Sequence, residues 1–249
     1  MQNAFDFGLH DDLSFIYRQL AFREPVSRHL VRRTPVHQLI RSMLGSRTKD
    51  PVSVAAFERL IGAYKDLSAL SDAKVTDVLA LIADVTHADQ KAVQILEALA
   101  FIRHRHSDFD LAFLARMPVN EAKAWLQQIK GVGGKIAAAV VNFSLRRRAF
   151  VADTHVLRVL GRYGCIGERA DGDAAHHLVT EVMTAWTPDD FEAFHVYLKR
   201  LGQTLCEARR ARCDACPLVC RCRTARKRAP AATRGKPEQG QTAILLASG

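Results

Sequence analysis

The sequence predicts an all-α protein built from about ten short helices joined by short loops. In most segments apolar residues recur at the i, i+3, i+4, i+7 spacing that defines one buried helix face. No run alternates polar and apolar residues with a period of two between hairpin turns, so strands are not expected. Capping residues and prolines mark where several of these helices begin.

The periodic segments follow one another along the whole chain. In order they are Leu13/Ile16/Tyr17/Leu20, Val36/Leu39/Ile40/Met43/Leu44, Phe57/Leu60/Ile61/Tyr64, Val75/Val78/Leu79/Ile82, Leu178/Val179/Val182/Met183/Trp186 and Phe191/Phe194/Leu198/Leu201. Thr34-Pro35 begins the second, because threonine caps free amides and proline fits the first helical position. Ser71 and Asn120 are further predicted N-caps. Two more helices are expected at 120–129 and 136–145.

The length and composition restrict the class of protein. A chain of 249 residues can form one large domain or two intimate lobes with a real core. No stretch approaches the ~20 apolar residues that a membrane span needs. The N-terminus, MQNAFDFGLHDD, has neither the basic nor the apolar part of a secretion signal. We therefore expect a soluble, cytoplasmic protein with no membrane partner.

The positive charge is concentrated near the C-terminus. The net charge is +10, and residues 199–236 contain twelve Lys/Arg against only Glu207 and Asp214. A concentrated basic segment is typical of proteins that bind a polyanion. A solvated basic tail is the alternative. After Arg228 the composition, rich in Pro, Gly and Gln, predicts a disordered tail.

A glycine-rich turn, KGVGGK at 130–135, separates two of the predicted helices. Glycines at 131, 133 and 134 leave the amides bare, and the next helix adds unpaired N–H groups and a positive dipole end. Such a turn can hold a phosphate, with Val132 anchoring it in the core. A P-loop and a dinucleotide fingerprint are excluded, because Ile136 stands where the first needs Ser/Thr and the second a glycine.

Five of the six cysteines lie within seventeen residues. Cys206, Cys213, Cys216 and Cys222 follow a C-x6-C-x2-C-x5-C pattern. Without a secretion signal, this crowding indicates a metal centre, either zinc or an iron–sulfur cluster. Cys220 is an extra thiol that could form a competing C-x2-C-x3-C set, and Cys165 is expected to be an ordinary small buried residue.

Three segments together resemble the endonuclease III family of DNA glycosylases. LQQIKGVGGKIAAAVVNFSL at 126–145 resembles the family's helix-hairpin-helix. VADTHVLRVLGR at 151–162 and LIRSMLGSRTKD at 39–50 resemble two further family motifs, and the similarity covers about residues 30–225. The resemblance implies a two-lobed helix-hairpin-helix DNA glycosylase fold. Residues 30–145 would form a six-helix barrel lobe, and 1–29 with 146–225 a cluster-containing lobe, followed by a basic tail at 226–249.

The resemblance also implies which residues perform the chemistry. Lys135 would be the amine nucleophile and Asp153 the active-site carboxylate. An unprotonated amine can expel a damaged base, form a Schiff base with the sugar and permit β-elimination. From the residues alone, Lys135 as a phosphate contact and Asp153 as the N-cap of a helix at 154–163 remain alternatives.

The family also has a [4Fe–4S] cluster with this cysteine spacing, which implies Cys206, Cys213, Cys216 and Cys222 as ligands. DNA contacts are expected from the hairpin, residues 131–134, and from the basic loop between the first two ligands. The candidates are Gly131, Val132, Gly133, Gly134, Arg209, Arg210 and Arg212. Arg47 stands where the family commonly has a glutamine that fills the gap left by the flipped base. It would stack there or bind phosphate.

The sequence therefore predicts a base-excision DNA glycosylase with abasic-site lyase activity that removes damaged, by default oxidised, pyrimidines. The expected partner is double-stranded DNA with damaged bases or abasic sites, bound by a nucleoid-associated monomer. Two rivals remain: a monofunctional mismatch glycosylase on the same fold, and a cluster-bearing DNA-binding or redox-sensing protein without catalysis. His104, His106, His176 and His177 are expected at the surface, and Trp125 and Trp186 in the core.

Overall fold

The computed structural model describes residues 3–23, 32–106, 108–167 and 169–228. The predicted disordered segment 229–249 lies outside them. Within the described residues there is no strand, only one isolated bridge between Cys206 and Ala211, so the all-α prediction is confirmed. No helix in the described ranges is long and apolar enough to cross a membrane.

Twelve α-helices follow one another in the described residues. They are α1 Asn3–Arg23, α2 Pro35–Gly45, α3 Asp50–Ala63, α4 Leu67–Ser71, α5 Val75–Leu81, α6 Ala88–Arg105, α7 Val119–Gln127, α8 Gly134–Ala139, α9 Thr154–Tyr163, α10 Gly172–Val182, α11 Pro188–Thr204 and α12 Arg223–Arg228. A 3-10 turn, Ala112–Arg116, precedes α7. A π-helical turn, Val140–Ser144, directly continues α8.

Of the three predicted N-caps, Thr34 is confirmed and Ser71 and Asn120 are wrong. Thr34 caps α2 as expected, since its side chain accepts a hydrogen bond from the His37 amide. The prediction for Ser71 is wrong, because this residue ends α4 and Lys74 precedes α5. The prediction for Asn120 is also wrong: α7 begins one residue earlier, after Pro118. A helix can begin without a side-chain cap where its buried face supplies the stabilisation.

The buried apolar residues form two main clusters. The first unites residues of α2 to α8, from Val36 to Ala149. The second joins α1 to α9, α10 and α11, together with Leu218 near the cysteines. The chain passes from the first core to the second between Ala149 and Phe150, both fully buried. Lys135 lines a cavity together with residues of α2 from the first core and of α11 from the second.

Polar contacts also join the cores. The Asn142 side-chain amide donates to the carbonyl oxygens of Arg147 and Pro188, at 3.1 Å each. Arg148 donates to the carbonyl oxygens of Thr180 in α10 and of Met183 and Trp186 in the segment between α10 and α11. Because these groups are bonded to backbone, they fix the position of α11 relative to α8.

Candidate active site between the two cores

The glycine turn has the backbone that its sequence predicts. Gly131 has a φ of +84°, and a side chain there would also collide with Gln94, 2.8 Å away. A side chain on Gly134 would collide with the Asp173 carboxylate, 2.5 Å from the Cβ position. Val132 is buried in the first core, as expected, with 5% of its surface exposed. Side chains at 131 and 134 would therefore not fit here, and the turn places Lys135 in the first turn of α8.

Lys135 faces a cavity of about 520 Å³ between the two cores. Cationic, anionic and apolar side chains all line it, including Arg41, Asp50, Phe143, Glu192, His195 and Lys199. Partial burial lowers the pKa of Lys135. Asp153 and Asp50 oppose this shift, while Lys199 and Arg41 add to it. The amine is therefore easier to deprotonate than an ordinary lysine.

Asp153 caps α9 and is 9% exposed. Its Oδ1 accepts hydrogen bonds from the amides of His155 at 2.9 Å and Val156 at 3.0 Å. Burial alone would raise the pKa of Asp153, yet that pKa lies below its ordinary value. Among the groups that lower it, His195 has the largest effect, followed by the Val156 amide and the two lysines, Lys135 and Lys199. The carboxylate is thus ionised beside Lys135, although Asp153 does not line the cavity itself.

Two buried histidines were missed by sequence reasoning. His176, predicted at the surface, is only 3% exposed, so that prediction is wrong. Its Nδ1 donates to the Phe150 carbonyl oxygen at 2.9 Å, and burial lowers its pKa to about 4. His195 donates likewise to Val151 at 2.8 Å, and its pKa is also about 4. His104 and His177 are exposed as expected, and His106 stacks on Phe113 with ring centroids 4.2 Å apart.

Arg47 lies at the tip of the loop between α2 and α3, with an exposed side chain and a φ of +54°. The side chain of buried Lys91 is hydrogen-bonded to this loop. The Lys91 Nζ donates to the carbonyl oxygens of Leu44 at 3.0 Å and Ser46 at 2.6 Å, and to Thr48 Oγ1 at 3.1 Å. The loop geometry that directs Arg47 outwards is therefore set by a lysine 44 positions later in the chain.

Four cysteines line one small cavity at the base of α9 and α11. They are Cys206, Cys213, Cys216 and Cys222, whereas Cys220 is exposed and absent from that lining. Cationic side chains contact the sulfurs: Arg162 lies 3.5 Å from Cys206 Sγ, and Arg228 lies 3.9 Å from Cys213 Sγ. Among the described residues, no three ligand-type side chains converge closely enough to hold a single metal ion. Cys165 is buried in the second core, as predicted.

The basic loop between Cys206 and Cys213 is held by arginines of α9. Arg158 donates to the Cys206 carbonyl oxygen at 2.9 Å, and Arg162 donates to those of Glu207 at 2.7 Å and Ala208 at 2.9 Å. Arg209 and Arg210 are exposed on this loop. Arg212 is exposed too, but its guanidinium donates to the Thr204 carbonyl oxygen at 2.7 Å. Two of the three predicted contact arginines thus project from a buttressed loop.

Comparison with known proteins agrees with this architecture. Residues 40–185 match the family model for the HhH-GPD superfamily of base excision DNA repair proteins. Endonuclease III of Thermotoga maritima is 25% identical over 225 residues, which cover 87% of this chain and 99% of that protein. The adenine DNA glycosylase of Mycobacterium tuberculosis is 28% identical, over 81% of this chain and 62% of that protein.

Solved structures share the fold. A trapped covalent intermediate of endonuclease III with DNA superposes with a TM-score of 0.73 at 22% identity, covering 88% of this chain and 98% of that one. A thermostable thymine-DNA glycosylase superposes with a TM-score of 0.69 at 19% identity, covering 86% and 95%. The all-α architecture predicted from helical periodicity and the helix-hairpin-helix glycosylase fold implied by the three motifs are both confirmed. The chain belongs to the HhH-GPD superfamily of base excision DNA repair proteins.

Proposed function

We propose that the protein is a base-excision DNA glycosylase with abasic-site lyase activity, in which Lys135 is the nucleophile. The observation that carries this proposal is the environment of Lys135. The glycine turn places its amine in a cavity between the two cores, where burial lowers its pKa and the ionised carboxylate of Asp153 interacts with it electrostatically. A lysine with a lowered pKa in a cleft is the form that nucleophilic catalysis requires.

The chemistry begins with the neutral Lys135 amine attacking C1′ of a flipped nucleotide. A bond forms between Nζ and C1′, the glycosidic bond breaks, and its electron pair leaves with the base, which takes up a proton. Opening of the sugar ring then produces a Schiff base. Loss of a C2′ proton expels the 3′ phosphate by β-elimination.

Asp153 would act by electrostatics. Positive charge develops on the sugar as the glycosidic bond breaks, and a fixed carboxylate nearby stabilises it. Both amide contacts of Asp153 go to Oδ1, so the carboxylate is oriented by its capping role. The capping and catalytic interpretations are therefore compatible, and one residue would serve both.

The partner would be double-stranded DNA containing damaged bases or abasic sites, bound by a monomer. The turn, residues 131–134, would hold a phosphate through its bare amides, and exposed Arg209 and Arg210 would contact the backbone from the other core. The flipped nucleotide would enter the cavity that Lys135 lines. The two cores support lobes at 30–145 and at 1–29 with 146–225.

The cysteines would hold a [4Fe–4S] cluster. Four thiols share one cavity, no carboxylate or imidazole shares it with them, and arginines next to the sulfurs would offset the negative charge of thiolates. When bound, the cluster would hold both ends, Cys206 and Cys213, of the loop that carries Arg209 and Arg210. Exposed Cys220 would remain a free thiol.

Borohydride reduction on damaged DNA tests the proposed activity. A Schiff base is reduced to a stable covalent adduct, so an adduct through Lys135 is expected. Base release without an adduct would instead indicate a monofunctional glycosylase on the same fold. Neither base release nor adduct would indicate a DNA-binding or redox-sensing protein.

An oxidised pyrimidine is the substrate we propose, and a panel of lesion duplexes is the measurement. Arg47 would either stack in the gap left by the flipped base or bind a phosphate. If it stacks, Arg47→Ala would change the preference for the base opposite the lesion. A uniform loss on all duplexes would indicate phosphate contact.

A further inference from the structure

A second lysine lies in the cleft with Lys135. Lys199 of α11 lines the same cavity, and its Nζ donates to Asp50 Oδ1 at 2.6 Å. Gln203, one turn further along α11, donates to Asp50 Oδ2 at 2.9 Å. Both oxygens of Asp50, at the start of α3, are thus held by α11. The ammonium of Lys199 is fixed in position by an acceptor that lies on the opposite side of the cleft.

Titratable groups of several helices act on Lys135, and all but His195, whose pKa is about 4, are charged near neutral pH. They are Arg41 of α2, Asp50 of α3, Lys91 of α6, Asp153 at the start of α9, and His195 and Lys199 of α11. Asp153 and Asp50 favour a protonated Lys135, whereas Lys199, Arg41 and Lys91 disfavour it. The effect of Lys199 on Lys135 exceeds that of Asp50. The lysine–aspartate pair as a whole therefore acts on Lys135 as a net positive charge.

We propose that Lys199 is a positioning residue for the Lys135 amine: anchored by Asp50, its ammonium opposes a second positive charge in the cavity they share and so favours the neutral, nucleophilic form of Lys135. This inference rests on the proposed function, since it gives Lys199 a role in the same reaction. Lys199 itself forms no bond to the sugar. Its side chain is only 27% exposed, so water screens its charge less than at an open surface.

The alternative is that the Lys199–Asp50 ion pair, the clasp, only joins the two cores. Substitutions that change charge distinguish this structural role from the electrostatic one. Lys199→Met and Asp50→Asn both weaken the clasp, so a structural role predicts similar effects. An electrostatic role predicts opposite effects on Lys135. Removing the lysine takes away a positive charge, which raises the pKa of Lys135, whereas removing the carboxylate takes away a negative charge, which lowers it. The new carboxamide in Asp50→Asn still offers an oxygen to Lys199.

Competitive trace acetylation of the full chain, read by mass spectrometry of the peptide that contains Lys135, measures the titration midpoint of this amine without DNA. We expect Lys199→Met to raise the midpoint by on the order of one pH unit and Asp50→Asn to lower it. Lys199→Arg retains the charge and is expected to keep the midpoint low. Gln203→Met, which removes the other bond to Asp50 without changing charge, is the matched control and is expected to leave the midpoint in place.

Borohydride trapping across the same pH range then gives the functional consequence. Lys199→Met should yield about tenfold less adduct near neutral pH and recover at alkaline pH, since one pKa unit is a tenfold change in neutral amine. The inference would be overturned if the titration midpoint of Lys135 stayed unchanged in Lys199→Met. It would also be overturned if the midpoint moved in the same direction in Lys199→Met and Asp50→Asn. Either result counts even if the wild-type protein forms the borohydride adduct. A wild type that forms no adduct, with acetylation midpoints that still diverge as expected, would refute the proposed lyase and leave the charge coupling standing.

Discussion

Lys123 and Asp173 form an ion pair that joins the helix before the glycine turn to the second core. The Lys123 Nζ lies 3.2 Å from Asp173 Oδ1, and the lysine side chain is only 6% exposed while that of the aspartate is 54% exposed. The same carboxylate packs against Gly134. One aspartate of α10 thus neutralises a buried lysine of α7 and contacts the backbone next to Lys135.

The two partners of this pair should differ in their effect on stability. Asp173→Asn leaves a buried ammonium without a counter-charge and is expected to lower the free energy of unfolding by about 1–3 kcal/mol. Lys123→Met leaves only a half-exposed carboxylate and should cost less. Urea unfolding measures both. Asp72→Asn, which breaks an exposed pair with Arg103, is the control and should change stability by less than about 1 kcal/mol. Equal losses in Asp173→Asn and Lys123→Met would contradict the role of burial.

Lys135→Ala is expected to abolish the borohydride adduct while leaving DNA affinity within about tenfold, since at most one phosphate-facing charge is lost. Lys130→Ala is the matched control, because this lysine belongs to the same turn but is exposed and paired with Glu97. Gel analysis of the trapped complex and a binding titration provide the two measurements. An adduct that persists in Lys135→Ala would place the nucleophile elsewhere.

The purified protein should be yellow-brown, with a broad absorbance near ~400 nm from thiolate-to-iron charge transfer. Cys213→Ser is expected to lose the colour, because this thiol lines the shared cavity. Cys220→Ser should retain it, because its thiol is exposed outside that cavity. Absorbance and iron analysis of the three proteins check this. A colourless wild type with one zinc per chain would show that the cluster assignment is wrong.

Replacing Arg209, Arg210 and Arg212 together with alanine should flatten the dependence of log affinity on log salt by roughly 2–3 units, since each lost phosphate contact releases fewer counterions. The loss should be similar for damaged and intact duplexes. Arg212→Ala alone should contribute least, because its guanidinium already donates to Thr204. Truncation after Arg228 is the comparison, because among the removed residues only Arg234 and Lys236 are basic. A larger effect of the truncation would exclude the loop as the main anchor.

His176 should make stability depend on pH below neutrality. Its pKa is about 4 in the folded protein and ~6.5 in an unfolded chain, so between these values the unfolded state binds more protons. Stability should therefore fall as pH decreases from about 6.5 to 4. The contribution of this histidine is on the order of 3 kcal/mol. His176→Gln should reduce the slope in urea unfolding, whereas exposed His104→Gln should not. Parallel slopes in all three proteins would contradict this assignment.

The sequence by itself determined the features that depend on neighbours a few positions away. Thr34-Pro35 predicted the start of α2 correctly, because a cap acts on amides within the next turn. The glycines of the turn at 131–134 and the four cysteines in seventeen residues were recognisable for the same reason: their spacing is local. Even the errors at Ser71 and Asn120 moved only a helix boundary.

The tertiary structure alone decided which distant charges meet. Asp50 contacts Lys199 across 149 positions, and Lys123 contacts Asp173 across 50, so no periodicity could pair them. His176 was misplaced at the surface because its burial depends on the packing of α10 against the segment that begins at Phe150. Local pattern sets where helices form, whereas burial and Coulomb interactions depend on distances that exist only once both cores have packed. At Lys135, burial and the charges that meet there lower the pKa.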